Sequence, residues 1–241
     1  MGSTKVNKNN KAFKSDSQRL PFSLRSSLAK RCSHLNAALG PQDMSTEYEK
    51  YMDAVFWIDE TTSGLVIPAD ERSLLASGCF DVALEHQAAI GLLYSSQLYG
   101  SVMSILRVLT ESVVRGLWIL YCASDIELKK FKKRKIDKSF GTLVSEYESK
   151  IDDKDFVLSK FKGVAWKSMN DFTHTGFMQV SRRHLPGKIS ADYDATELNH
   201  ALGVAGALGF IAAGQLVGMA GRADLTQPFL DKMQDYGNVQ P

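Results

Sequence analysis

Cysteine is too scarce and too scattered to hold this chain together. Cys32, Cys79 and Cys122 are odd in number, and no CxxC or Cys/His spacing offers a zinc ligand set. Cys79 and Cys122 fall inside apolar helical runs, where a thiol behaves as a small hydrophobe. Net charge is also small, +2 over 241 residues, which excludes a uniformly basic nucleic-acid binder. No Walker-type phosphate loop, dinucleotide fingerprint or metal-binding signature is present, so neither a metal nor a cofactor is expected. Alternating strand patterns with hairpin turns are missing, as is any internal repeat. The basic N-terminus lacks the apolar stretch of a secretory signal, so a cytoplasmic location is expected. One run, Ala201 to Gly221, needs testing as a membrane span because Gln215 is its only polar side chain. It is mostly Gly and Ala, which partition weakly into lipid, so a close-packed bundle helix and no membrane are expected.

What the sequence does contain is helical periodicity. Apolar residues make up 44% of the chain, enough for one sizeable core. Residues 1–18 are polar, aperiodic and basic, and read as a disordered tail. A first helix is predicted after Pro21 and a second from Ser45 as its N-cap. Gly64 to Pro68 reads as an extended connector. Two long helices follow from Asp70 to Ser124, breaking around Gln97 to Gly100. Further helices are predicted from Asp125, over Phe140 to Ile151, over Ala165 to Arg183, over Asp194 to Gly221 and over Leu225 to Tyr236. The expected fold is all-α, a single antiparallel helical bundle spanning 19–241 with its core in 70–220.

One helix stands out. Around Val102 to Ala123 nearly every position is apolar, as in a central bundle helix. Arg107, Glu111 and Arg115 nevertheless line up within about 80° of arc, being four residues apart. Glu111 can bridge both arginines as a surface ion-pair ladder. Alternatively, the strip lines a groove whose excess positive charge takes an anion such as a phosphate.

A second cluster lies on the predicted Ala165–Arg183 helix. Phe172, Ala165, Gly176, Met169, Val180, Trp166 and Phe177 form its apolar face, with Lys167, Asn170, Asp171, His174 and Ser181 opposite. Asn170 and Asp171 are four and three residues before His174, within reach of the imidazole. Such a partner orients a histidine for proton transfer, although an ordinary solvent-facing helix has the same composition. Arg182, Arg183 and His184 follow at the helix end, suited to the helix dipole or to gripping phosphates. Glu85-His86 is a lesser candidate.

The segment Arg107-Val-Leu-Thr-Glu111-Ser-Val-Val-Arg115-Gly-Leu-Trp, with Asn170-Asp-Phe-Thr-His174-Thr-Gly-Phe, resembles an uncharacterised group of bacterial helical proteins. That group is distantly similar to the HEPN superfamily (higher eukaryotes and prokaryotes nucleotide-binding). The resemblance covers roughly residues 70 to 220. It implies a helical bundle, often dimeric, and in many members a metal-independent ribonuclease acting as a toxin or phage-defence effector. Those enzymes use an Arg followed, after four to six residues, by a His. Here the position separated from His174 by six residues is Lys167, which lacks the planar fork of arginine. Arg107 or Arg115 would then supply the guanidinium from the neighbouring helix.

Two readings of function follow. In the first, an RNA-cleaving or nucleotide-handling effector uses His174 as general acid/base, oriented by Asn170 or Asp171. Arg107 and Arg115 stabilise phosphate charge, Glu111 holds them, and Lys167, Arg182 and Arg183 bind substrate. In the second, a non-enzymatic module binds a protein partner or nucleotide in the same groove. The lysine-rich stretch Lys129 to Lys138 reads as a solvated face or a phosphate-binding surface. Gly203, Gly206, Gly209, Gly214, Gly218 and Gly221 on one predicted helix require close helix contacts, within the bundle or across a homodimer axis, and a homodimer is expected.

Overall fold

The structure is a computed structural model and describes residues 19–21 and 45–237. The predicted tail at 1–18, the helix after Pro21 and Cys32 lie outside the described residues. Nine α-helices and two short two-stranded ladders make up the described chain. Helix α1 (Thr46–Thr62) starts where Ser45 accepts the Tyr48 amide N–H at 3.3 Å. It ends at Gly64, whose φ of +75° turns the chain into strand β2 (Val66–Pro68), antiparallel to β1 (Arg19–Pro21). Asp70 caps α2 (Glu71–Ser95), and a left-handed Gln97 reverses the chain into α3 (Tyr99–Tyr121). A Ser124/Glu127 capping box opens α4 (Asp125–Lys132), and Ser139 caps α5 (Phe140–Lys150).

Beyond α5 the chain departs from its periodicity. Helix α6 runs over Val157–Thr173 and stops at His174, and α7 is the short turn Phe177–Ser181. The single helix predicted over Ala165–Arg183 is therefore two, broken where Thr175 takes φ +56°. The break turns the far end of the predicted apolar face outward, so that Phe177 is 82% exposed while Met169 and Phe172 stay buried. Pro186-Gly187 then closes a hairpin, β3 (His184–Leu185) against β4 (Lys188–Ile189), too short for alternation to betray it. Asp194 caps α8 (Ala195–Met219), and a 3₁₀ turn leads to α9 (Thr226–Gly237).

The core follows from α3, which no single neighbour can cover. It packs against α2, α5, α6 and α8 and buries Val102, Leu109, Val113, Val114 and Trp118. Helix α8 is long and apolar enough to cross a membrane, but more than half of its apolar stretch is buried against α1, α2, α3 and α9. Its glycines permit this. A Cβ at Gly209 would overlap the Gln87 amide of α2, and one at Gly206 the ring of Tyr236, whose hydroxyl donates to the Leu202 carbonyl at 3.0 Å. These close approaches lie inside the bundle, whereas a Cβ at Gly203 meets nothing within 4 Å.

Part of the lysine-rich stretch is structural. Lys138 bridges Glu127 at 2.6 Å and Glu146 at 2.7 Å, and lies 4.9 Å from the ring centre of Trp118. The indole N–H of Trp118 itself donates to Glu146 at 2.6 Å. Lys132 pairs with Glu71 of α2. Lys129, Lys130, Lys133, Arg134 and Lys135 face solvent.

Two outcomes are expected. Gly209→Leu should lower stability by about 1–3 kcal/mol through overpacking. Gly203→Ala should raise it by about 0.5–1 kcal/mol. Urea unfolding checks both, and a loss at Gly203 would place a second copy on that face. Separately, the hydrogen bond from Lys138, then those from Ser124, hold the Glu127 carboxyl at about 2, below its ordinary 4.5. Because the folded value is depressed, this contribution is present above pH 4.5 and fades as pH falls toward 2. Glu127→Gln should flatten the melting temperature against pH in that window.

Candidate functional site

Arg107 lies where α3 turns its charged strip toward α6. Its Nη2 pairs with Glu111 Oε1 at 2.9 Å and its Nε donates to the same oxygen at 3.1 Å. Its Nη1 donates to His174 Nε2 at 2.5 Å. A guanidinium can only donate, so in this arrangement Nε2 presents its lone pair and the ring proton sits on Nδ1. The Arg107 guanidinium carbon also lies 4.9 Å from the ring centre of Trp166, which stacks on Phe140 at 3.8 Å with planes 3° apart. Arg107 is thus held on three sides, while His174 is exposed.

A polar latch one turn earlier on α3 sets this geometry. Ser104 Oγ donates to the Phe172 carbonyl at 2.9 Å, and Thr173 Oγ1 donates to the Ser104 carbonyl at 3.1 Å. Gln179 of α7 donates to Ser104 Oγ at 3.2 Å. The end of α6 is therefore tied to α3 immediately before His174. On the far side of the break, Asp171 accepts the Met178 amide N–H, and its own carbonyl accepts the Gly176 N–H at 2.7 Å. A Cβ at Gly176 would run into that carboxylate.

The expected site residues separate accordingly. Arg107, Glu111 and His174 come together. Arg115 does not join them: it lies two turns on, about 12 Å along the axis, beside Phe131 at 5.9 Å and near Cys79. Among the described residues Glu111 pairs with Arg107 and not with Arg115, so the bridge to both arginines is corrected to one pair. Asp171 holds α7 and does not orient the imidazole. Asn170 accepts the His174 backbone N–H at 3.0 Å through its carbonyl, while its side-chain oxygen is buried without a partner. Lys167 is exposed on the face of α6 that carries His174, seven residues and about 10 Å away. Arg182 is committed to Glu197 of α8 at 2.8 Å, and Arg183 packs over Gly100 at the start of α3.

Trp166 and Ser104 join the cluster without standing out in the sequence: Trp166 reads there only as part of an apolar face, and Ser104 gives no signal until α6 is docked beside it. His86 lies on α2, where burial holds its pKa below the ordinary value. Burial pushes the Cys79 thiol up to about 11, so it is no nucleophile at neutral pH. Among the described residues no group of three or more His, Cys, Asp or Glu is arranged to hold a metal ion.

If Asp171 is a cap, Asp171→Ala should speed amide exchange at Met178 by about fivefold or more, with a stability loss of about 1 kcal/mol. Unchanged exchange at 177–178 would return Asp171 to the imidazole.

No curated protein and no solved structure matches this chain. Residues 80–241, more than half of it, match a family of unknown function, DUF6988. That region contains α3, α6, α7 and every residue of the Arg107–His174 cluster, and the chain belongs to the DUF6988 family.

Proposed function

We propose that this protein is an HEPN-like, metal-independent endoribonuclease whose reaction centre is His174 with Arg107. The observation that carries the reading is the 2.5 Å contact between Arg107 Nη1 and His174 Nε2, made between two helices at an exposed rim. A guanidinium and an unprotonated ring nitrogen aimed at one point suit a phosphodiester. The phosphate oxygens take the guanidinium, and the nitrogen so released takes the proton of the neighbouring 2′-hydroxyl. The 2′-oxygen bonds to phosphorus, the bond to the 5′-oxygen breaks, and that oxygen leaves with a proton from solvent. The products are a 2′,3′-cyclic phosphate and a 5′-hydroxyl.

Glu111 keeps Arg107 from swinging into water, and Trp166 supports it from the apolar side. Exposed Lys167 is placed to meet a second phosphate, and Phe177 offers a face on which a base can stack. Arg107 would occupy the role that the superfamily's own motif gives to an arginine on the histidine's helix. The same resemblance supplies the setting in this reading: a toxin-like effector of bacterial defence, cytoplasmic and homodimeric.

The test is incubation of the full chain with mixed cellular RNA in the presence of a chelator, beside His174→Ala, Arg107→Ala and Arg115→Ala. The parent should cleave to cyclic-phosphate ends. The first two variants should be slower by about 100-fold or more with unchanged far-ultraviolet circular dichroism, and Arg115→Ala should stay near the parent. Undiminished cleavage by His174→Ala would sink the proposal. RNA retention without turnover would move the site to the binding-module reading.

A further inference from the structure

We propose that a cavity near the C-terminal end of α3 binds an uncharged amphiphile, a medium-length alkyl or acyl chain carrying a hydrogen-bond-accepting head. The cavity holds about 550 Å³, within the range of small-molecule sites. It opens between α8 and α9, with Leu117 of α3 as part of its wall and the α5–α6 connection closing one side. Leu117 lies ten residues from Arg107, about 15 Å along the helix, so this is a separate site that does not depend on the ribonuclease reading.

Its shape comes from one stripe of α8. Ile211, Gly214, Gln215 and Gly218 recur at the spacing of a single helix face, and all four line the cavity. At Gly214 the neighbouring helix is close: a Cβ there would touch the Phe229 ring at 3.2 Å. One turn on, at Gly218, a Cβ would meet nothing within 4 Å. Phe229 thus fills the space beside Gly214, while the missing side chain at Gly218 leaves the space beside it open. The rim is apolar as well, with Met233 40% and Ile151 45% exposed. Apolar walls left to water are stabilised by an apolar occupant.

The polar groups define the head of that occupant. Tyr121 Oη donates to Gln215 Oε1 at 2.6 Å, which fixes the amide and leaves its NH₂ to donate. Tyr147, whose hydroxyl burial raises to about 12, stays un-ionised at neutral pH. Among the described residues Asp153 is the one charged residue on the wall. Its carboxylate is already taken by the backbone N–H groups of Asp155 at 2.9 Å, Phe156 at 3.2 Å and Val157 at 3.1 Å, which start α6. With no cation among the described residues that line the cavity and one carboxylate beside it, an anionic head is disfavoured and a neutral acceptor preferred.

The test uses the full chain, the uncharged dye N-phenyl-1-naphthylamine, and decanamide or decanoate as competitors. The parent should take up the dye, and decanamide should displace it at concentrations about tenfold lower than decanoate. Gly218→Leu and Met233→Trp, which fill the space from opposite walls, should each weaken dye uptake about tenfold or more with the melting temperature maintained. Gln215→Leu should weaken decanamide about fivefold and leave the dye unchanged, because only the amide has a head to be recognised. The proposal is overturned by a parent that takes up no dye, by equal competition from decanoate, or by full uptake in both filled variants. A change in mass for Gly218→Leu would instead assign the cavity to a second copy of the chain.

Discussion

A helix that is apolar around most of its circumference has to be enclosed, and the enclosure of α3 organises this molecule. Four helices pack on it, and they leave one strip uncovered, where Arg107 and Glu111 require solvent and partners. Neither residue can be buried alone, because an unpaired charge in a dry interface costs several kcal/mol. The bundle meets the constraint by running the end of α6 along the strip. Trp166 covers the flat face of the guanidinium and His174 takes its outer edge. The candidate site is thus the place where the bundle's central helix comes to terms with its own charges.

The break between α6 and α7 belongs to the same solution. A helix continued through Thr175 would have carried His174 on its flank. Ending it at His174 and tying Phe172 and Thr173 to Ser104 sets the imidazole at the tip, in reach of α3. The left-handed Thr175 is an unfavourable conformation for a β-branched residue. It is held by what flanks it, the latch at Ser104 on one side and the Asp171 carboxylate on the other. Backbone strain of this kind persists where surrounding contacts over-determine it, which is why it concentrates at working sites.

Much of this was legible in the sequence, and what was not has a physical reason. The cap at Ser45, the helix starts at Asp70 and Asp194, the reversal near Gln97 and the extended segment before Pro68 are local signals, set by neighbours in sequence. The pairing of Arg107 with Glu111 follows from helical spacing alone, whereas the sequence leaves open whether Arg107 or Arg115 meets His174. The division of the strip was not legible, because whether Glu111 pairs forward or backward depends on which helix covers Arg115. Asp171 misled for a related reason. Three residues before a histidine it looks like its partner, but once the helix ends at His174 the same carboxylate faces the backbone of the next turn. Periodicity cannot announce a break that long-range contacts impose.

The glycines of α8 show how far one residue type can serve opposite ends. At Gly206 and Gly209 the absent side chain is replaced by a neighbour's, Tyr236 and Gln87, and the gain is close packing. At Gly218 nothing replaces it, and the result is empty space. Mid-helix glycine costs roughly 0.5–1 kcal/mol relative to alanine, and at the first two positions buried contact offsets that cost. Gly218 lies in the last turn of α8, and among the described residues no contact fills its place. Gly203 is equally open, but the open side of Gly218 forms part of an apolar wall with a fixed amide beside it. That asymmetry between Gly209 and Gly218, on one helix two and a half turns apart, separates the packing role of small residues from a binding role.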